Sequence, residues 1–341
     1  MAFEIVATGK AVPPGRVTND DLAARIDTTD EWIRSHTGIG ARHIAAEGVA
    51  CSDLALEAAE NAISMLAEKT GERIEDIKSG LDLIILATTS PDYTGVPSTA
   101  CVVQDKLNAR NAAAFDITAC CTGFIYGLEI AAGLLSIAAN RKRALVIASE
   151  ILSHFTDPDD RSTAVLFGDG AAAIIMEKTP CPNEGVNRRG LVQSILAADG
   201  SGALSLYIPK GGTRNPFKVG EVLEKLPSMK MDGRAVYNFA VRAITETIEK
   251  LLKADNKTID DIKWIIPHQA NARIVSAAQK RFGISDEKIY MNIEEYANTS
   301  AASIGIALDE LNRAGKLQRG DLILLVGFGA GMTYGGSLIV W

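Results

Sequence analysis

The chain of 341 residues is 47% hydrophobic and 23% charged, which provides for a large core and excludes a disordered chain. Its length fits two domains or one large α/β unit, and its formal net charge of -7 argues against general nucleic-acid binding while leaving room for a local basic patch. Five cysteines without framework spacing argue against a secreted disulfide scaffold; no signal pattern is visible and no apolar run reaches the length of a membrane span, so the expectation is a soluble cytoplasmic protein.

Phe3 to Gly9 carries a strand pattern, and Val12 to Arg16 a turn. Thr18 to Leu22 and Thr28 to Ile33 read as capped helix starts, and Ser35 to Ile39 as a surface loop. Trp32 beside that loop is a core anchor or an exposed stacking platform. Ser52 to Lys69 is a helix with Leu54, Leu56, Ala59, Ile63 and Leu66 in one apolar stripe. Leu81 to Ala87 is a buried strand that runs into a polar loop, Thr88 to Pro97, and Ser98 to Leu107 is the next helix. Ala114 to Thr118 reads as a short buried strand. From Thr122 to about Ala139 the chain is apolar nearly all the way round, the mark of a helix buried on every side. Arg143 to Ser149 is another buried strand, and Val165 to Ile175 closes this half. Alternating strands and helices imply a largely parallel sheet.

Cys181 to Gly190 is the candidate linker between halves 1–180 and 181–341. A similar order then recurs. Arg234 to Lys253 is a helix. The strand at Trp264 ends in a polar loop through Asn271, as at Leu83 to Thr89, and Ala272 to Phe282 is a helix. Tyr290 to Tyr296 leads into Ala297 to Ser303 and a helix to Ala314, as at Cys121. Leu322 to Val326 is a strand, and a glycine-rich segment from Gly327 closes the chain. This is a pseudo-duplication with little sequence identity. Strand ends from both halves of such a chain can converge on one central site.

Three polar groups follow strand ends at matching places: Cys121, His268 and Asn298. A thiol where a strand turns into a helix feels the positive helix end, which favours thiolate. Either Cys120 or Cys121 is therefore a candidate nucleophile, and two small core thiols are the competing reading. His268 alone reads as structural and Asn298 alone as an N-cap; the duplication is what directs them towards the cysteines. Gly327-Phe-Gly-Ala-Gly331 is a poor dinucleotide loop, because the fingerprint needs a following helix and only ten strand-like residues remain. Backbone N–H groups aimed at an oxyanion suit such a turn better. No cysteine or histidine spacing matches a zinc site.

Ala119-Cys-Cys-Thr-Gly-Phe124, Phe167-Gly-Asp-Gly-Ala171, Pro267-His-Gln-Ala-Asn271, Ala297-Asn-Thr-Ser-Ala-Ala-Ser303 and Gly327-Phe-Gly-Ala-Gly331 together resemble the type III 3-oxoacyl-[acyl-carrier-protein] synthases of the thiolase-fold superfamily, over essentially the whole length. The resemblance implies an α/β thiolase-like fold of two pseudo-repeated halves in an αβαβα layering, a homodimer, and no cofactor or metal. It selects Cys121 as the nucleophile of a ping-pong reaction. Acyl-CoA acylates Cys121, with an oxyanion hole from the backbone N–H groups of Cys121 and Ala330. His268 and Asn298 then hydrogen-bond the thioester oxygen of malonyl-acyl-carrier protein during decarboxylation, and the enolate attacks the acyl group. The same resemblance assigns Trp32 and Arg161 to the adenine of CoA. Arg273, Lys280 and Arg281 go to a basic patch for the acidic carrier protein, and Val96, Phe167 and Phe328 to the acyl pocket. Val96 would act through the dimer partner, and its small size implies tolerance for branched or longer primers. His36, Gly40 and Gly305 depart from the common Arg, Arg and Pro. A secondary-metabolite acyltransferase or polyketide primer enzyme would share this site and differ in product. A biosynthetic thiolase would need a second cysteine in the C-terminal half, and all five cysteines precede residue 182.

Overall fold

The computed structural model describes residues 1–180 and 189–341. In chain order the elements that build the core are β1 (Ala2–Ala11), α1 (Asp30–Thr37), α2 (Cys51–Thr70), β2 (Leu83–Ala87), α3 (Thr99–Lys106), β3 (Ala113–Ile117), α4 (Gly123–Ile137), β4 (Arg143–Glu150) and β5 (Gly170–Thr179). They continue as β6 (Gly190–Ala198), α5 (Gly233–Ala254), β7 (Trp264–Pro267), α6 (Ala272–Phe282), α7 (Ala302–Arg313), β8 (Leu322–Gly329) and β9 (Thr333–Val340). Most of the expected linker lies on 181–188, outside the described residues; Gly190 already belongs to β6.

The strands follow one order, β7–β8–β9–β6–β1–β5–β4–β2–β3. Among the described residues, the two half-sheets join at one pair, Phe3 with Gly190. Within each half the pattern repeats. β1 and β4 run antiparallel to β5, and β2 runs parallel to β4 and β3. Likewise β6 and β8 run antiparallel to β9, and β7 runs parallel to β8 and to the bridge residue Ile289. The sheet is therefore mixed rather than largely parallel. The reason is plainest at β8 and β9, which are joined by only Ala330–Met332. So short a turn reverses the chain, whereas a parallel return needs a long crossover.

Five layers result. α2 and α3 cover the outer face of the first half-sheet, and α5 and α6 that of the second. α4 and α7 fill the space between, packed on strands from both halves. Cys120–Ile137 is 18 residues with mean hydropathy 1.6, apolar enough to cross a membrane, contrary to the sequence expectation. Here that apolarity is satisfied by two half-sheets instead of lipid. The helix is not buried on every side: Gly133, Ser136 and Ile137 emerge at its C-terminal end. Gly305 on α7 is required by this layer, since a Cβ there would stand 2.5 Å from the Ala172 Cβ on β5.

Two further expectations change. β3 is half-buried rather than buried, because it is the edge strand and nothing lies beyond it. Ser35 to Ile39 is not a loop. α1 continues to Thr37, Gly38 ends it at φ +83°, and Ile39 is fully buried.

Candidate active site

β3 delivers the chain to a tight turn, Cys120–Thr122, that opens α4. Cys120 adopts φ +46°, a left-handed conformation rare for a side-chain-bearing residue. Cys121 follows at the end of the sheet. Gly329, the last residue of β8, passes so close that an added Cβ would lie 2.7 Å from the Cys121 nitrogen. Its φ of -159° suits any residue, so space alone demands glycine.

His268 stands just past β7, with its N–H on the Val326 carbonyl at 2.8 Å. Its Nδ1 is 2.7 Å from Ser303 Oγ on α7, and its buried Nε2 has no protein partner. Ser303 Oγ also accepts from the Gln269 N–H at 3.3 Å; where the Ser303 hydroxyl donates to Nδ1, the ring proton sits on Nε2. Burial pushes the imidazole down to about 3. Asn298 is tied to the first half: its N–H donates to Leu166 O at 2.9 Å, and its carbonyl accepts from Gly168 N at 3.0 Å. Its side-chain oxygen accepts from Ser300 N at 2.8 Å, so the amide NH2 is the free end. Both second-half groups are thus uncharged hydrogen-bond donors.

The thiol differs from expectation. Burial pushes Cys121 up to about 12, and Cys120 up as well. Removal from water disfavours the charged thiolate. The Ser300 hydroxyl eases the Cys121 anion, whereas the Glu150 charge opposes it.

Two chambers meet at Cys121, Phe167, Leu206 and Ala330. One, about 180 Å³, has apolar walls from Leu152, Phe155, Ile208 and Met229. The other, about 170 Å³, holds His268 and Asn298 beside Val236 and Met332. Phe328 lines this second chamber, edge-on to His268 at 5.4 Å, and not the apolar one. Val96 is 82% exposed and lines neither chamber of its own chain. A wider cleft of about 910 Å³, bordered by Lys257, Asp261 and Arg319, contains neither the cysteine pair nor His268.

Trp32 serves both ways: half-buried, it packs against the cluster around Leu22 and Ile33 and also carries a stack. The Arg161 guanidinium lies 4.8 Å above its ring and His36 stacks at 4.4 Å. At Gly40 the neighbouring space belongs to Arg34, which is paired with Asp30 and Glu294. Arg273, at the start of α6, donates Nε to the Ser35 carbonyl at 2.9 Å. Lys280 is exposed at the far end, and Arg281 is paired with Glu249 at 3.2 Å. Sequence reasoning overlooked Ser300 and Ser303, both inside a motif it had singled out. It also overlooked Glu150, whose signal was an acid closing an apolar strand.

The family model for 3-oxoacyl-[acyl-carrier-protein (ACP)] synthase III matches residues 115–200, and that for the C-terminal part of the same family matches 252–341. A β-ketoacyl-[acyl-carrier-protein] synthase III of Natranaerobius thermophilus is 47% identical over 99% of both chains. One from Clostridium acetobutylicum is 43% identical over 100% of this chain and 99% of its own. The crystal structure of 3-oxoacyl-[acyl-carrier-protein] synthase III from Aquifex aeolicus aligns with a TM-score of 0.87, at 37% identity over the full length of both. A priming β-ketosynthase from the R1128 polyketide pathway aligns at 0.86, with 29% identity over 99% of this chain and 96% of its own. With a mixed sheet in five layers, and a cysteine facing a histidine and an asparagine across its centre, the chain belongs to the 3-oxoacyl-[acyl-carrier-protein] synthase III family.

Proposed function

We infer that this protein condenses a short acyl-CoA with malonyl-acyl-carrier protein, releasing CoA and CO2 and giving the 3-oxoacyl-carrier protein that starts fatty acid synthesis. The observation that carries the reading is the position of Cys121, between an apolar chamber and one holding two neutral donors. The Cys121 sulfur attacks the acyl thioester, and the acyl chain occupies the apolar side beside Phe167. The backbone N–H groups of Cys121 and Ala330 face the developing oxyanion. CoA leaves. Nε2–H of His268 and the amide of Asn298 then donate to the malonyl thioester oxygen as CO2 departs, and the enolate attacks the acyl carbon. Decarboxylation generates the carbanion, so no strong base is needed.

The neutral imidazole makes this half-reaction insensitive to pH where histidine ordinarily titrates. Because the folded pKa is depressed from 6.5 to about 3, the ring stays uncharged down to pH 5. Malonyl decarboxylation by the acylated protein, followed from pH 8 to 5, should show no inflection near 6.5 from this residue. The stability sign is the matching one. The unfolded chain takes up a proton below pH 6.5 that the buried ring refuses, so this residue's contribution is lost as pH falls from 6.5 towards 3.

On this reading Trp32 and Arg161 receive the adenine of CoA. Arg273 and Lys280, with Arg281 once it is released from Glu249, receive the acidic carrier protein. The protein works as a cytoplasmic homodimer of chains divided into halves 1–180 and 181–341. The unpaired edge of β3 and the exposed Tyr93 and Val96 favour that face for the partner. Val96 of one protomer then closes the apolar chamber of the other and leaves room for branched or longer primers. Mass spectrometry of the products formed from acetyl-, isobutyryl- and octanoyl-CoA in competition tests the whole reading, with Cys121→Ala as the blank. Val96→Phe should shift the product ratio towards acetyl by about tenfold, a size expected for filling an apolar pocket by a few methylenes. An unchanged ratio would remove Val96 from the pocket.

A further inference from the structure

The polar loop between β2 and α3 is rooted on one buried acid. Glu150, the last residue of β4, is fully buried, and among the described residues no cation is paired with it. Its carboxylate is satisfied instead by three consecutive residues of that loop. It accepts from Ser90 Oγ at 2.7 Å, from Thr89 Oγ1 at 3.0 Å, from the Thr89 N–H at 3.1 Å and from Thr88 Oγ1 at 3.3 Å. Ser90 Oγ in turn accepts from the Ile151 N–H at 2.9 Å, which ties the loop to the residue after the acid as well. Asp92 gives the loop a second anchor, with its carboxylate on the Ser52 N–H at 2.8 Å and its own N–H on Thr99 Oγ1 at 3.1 Å. Beyond it Tyr93 and Val96 are exposed, so the loop has a fixed root and a free tip. Thr89 belongs to both the root and the site. It walls the apolar chamber beside Cys120, Cys121 and Phe167, whereas Glu150 does not line that chamber. Thr89 therefore stands between the chamber and the acid.

We propose that Glu150 is a positioning residue that holds Thr89 against the apolar chamber and so sets which acyl primer the chamber accepts. This rests on the condensing-enzyme reading above and adds to it a determinant that touches neither the primer nor the sulfur. An apolar wall such as Met229 can yield by changing rotamer. The Thr89 wall cannot, because its N–H and its hydroxyl both end on one buried carboxylate. Removing that carboxylate leaves three hydroxyls and an N–H without their acceptor, above a void. The stretch Thr88 to Ser90 then sinks into the space the acid held, away from the chamber, and the chamber lengthens. Glutamine is different. Its carbonyl can take the place of Oε2, which accepts from Ser90, Thr88 and the Thr89 N–H, and its amide can donate to Thr89 Oγ1 where Oε1 now accepts. The wall therefore depends on the shape and bonding of the side chain at 150, and not on its charge.

In the test, acetyl-, isobutyryl- and octanoyl-CoA compete for Cys121 in the unmodified protein, Glu150→Ala and Glu150→Gln, and the acylated forms are weighed by mass spectrometry. A competition ratio does not depend on how much of the protein is folded, so lost stability alone cannot move it. Glu150→Ala should raise the octanoyl-to-acetyl ratio about tenfold, the lower range for a pocket changed by one methylene. Glu150→Gln should keep the ratio of the unmodified protein. Hydrogen exchange of the peptide spanning 88–97 is measured alongside and should quicken in Glu150→Ala and not in Glu150→Gln. An unchanged ratio in Glu150→Ala would make the acid a support for the fold only, and overturns the proposal. A Glu150→Gln ratio shifted as far as that of alanine would assign the wall to the charge, and overturns it too. If Glu150→Ala does not fold, Ser90→Ala removes the shortest of these bonds and should shift the ratio the same way; no shift there overturns the proposal equally. Failure of every primer to acylate the unmodified protein would count against the condensing-enzyme reading. Unchanged exchange at 88–97 in Glu150→Ala would still overturn the anchoring of the loop by itself.

Discussion

With His268 replaced by alanine, Cys121 should still be acylated by acyl-CoA, while carbon–carbon bond formation falls by about a thousandfold, the upper range for losing one preorganised oxyanion donor. The split follows from the chambers. His268 is buried and lines the chamber that Asn298 also lines. Its ring does not ionise, so its removal leaves the charge state of Cys121 alone. On the reading proposed above, it removes one of two donors to the malonyl thioester oxygen. Asn298→Ala should act in the same direction. The double variant should lose less than the product of the two, because both donors serve one oxygen. Acyl transfer and decarboxylation are measured separately, by protein mass and by CO2 release. Equal loss of both half-reactions in His268→Ala would mean that the ring also activates the thiol.

Gly329→Ala should be nearly as damaging, by a purely steric route. The new methyl would stand 2.7 Å from the Cys121 nitrogen, 3.2 Å from Thr333 Oγ1 and 3.3 Å from the Cys120 Cβ. The first of these is backbone and cannot swing away. Either β8 retreats or the cysteine turn does, and both movements widen the oxyanion site. We expect about 2 kcal/mol of lost stability, in the usual range for overpacking. Acylation should fall about a hundredfold, as expected when reacting groups are misplaced by an ångström. Thermal unfolding and the rate of Cys121 acylation check the two parts. A fully active Gly329→Ala protein would show that β8 does not set the position of Cys121.

The elements of this chemistry were legible because they sit at punctuation points in the chain. Cys121 and His268 each follow a strand, whereas Asn298, expected at a strand end, follows a short helix, Ile293–Tyr296; α6 runs over the residues its pattern marks, Ala272 to Phe282. What escaped depends on distance. The apolar chamber is walled by Leu152, Ile208 and Met229, which no local pattern relates. β9 runs against β8 because a three-residue turn reverses the chain, and periodicity carries no direction. The burial of the Cys121 thiol escaped for a similar reason. The helix end that favours thiolate is local and visible in sequence. The burial that opposes it comes from β8 and the residues around Ser300, which join only in the fold. Glu150 was passed over because one acid on an apolar strand looks like its end, and only its hydroxyl neighbours distinguish it.

On the proposed reading of Trp32 and Arg161 as the adenine slot, their stack bears on how tightly CoA would be held. A flat base between two flanking groups needs roughly 7 Å, twice an ordinary carbon contact distance. Arg161 rests at 4.8 Å from the Trp32 ring centre, so the unliganded slot is shut. Apparent affinity is the intrinsic affinity scaled by the fraction of molecules already open. An exposed cation–π contact contributes about 0.5 to 1 kcal/mol, and the Arg161 side chain is 50% exposed. The shut state therefore weakens binding by only about two- to fivefold. A slot that closes on itself stays ordered between turnovers and yields readily to the ligand. On that reading the closing contact competes with the adenine for one slot, which CoA would have to vacate before the second substrate reaches the acylated cysteine.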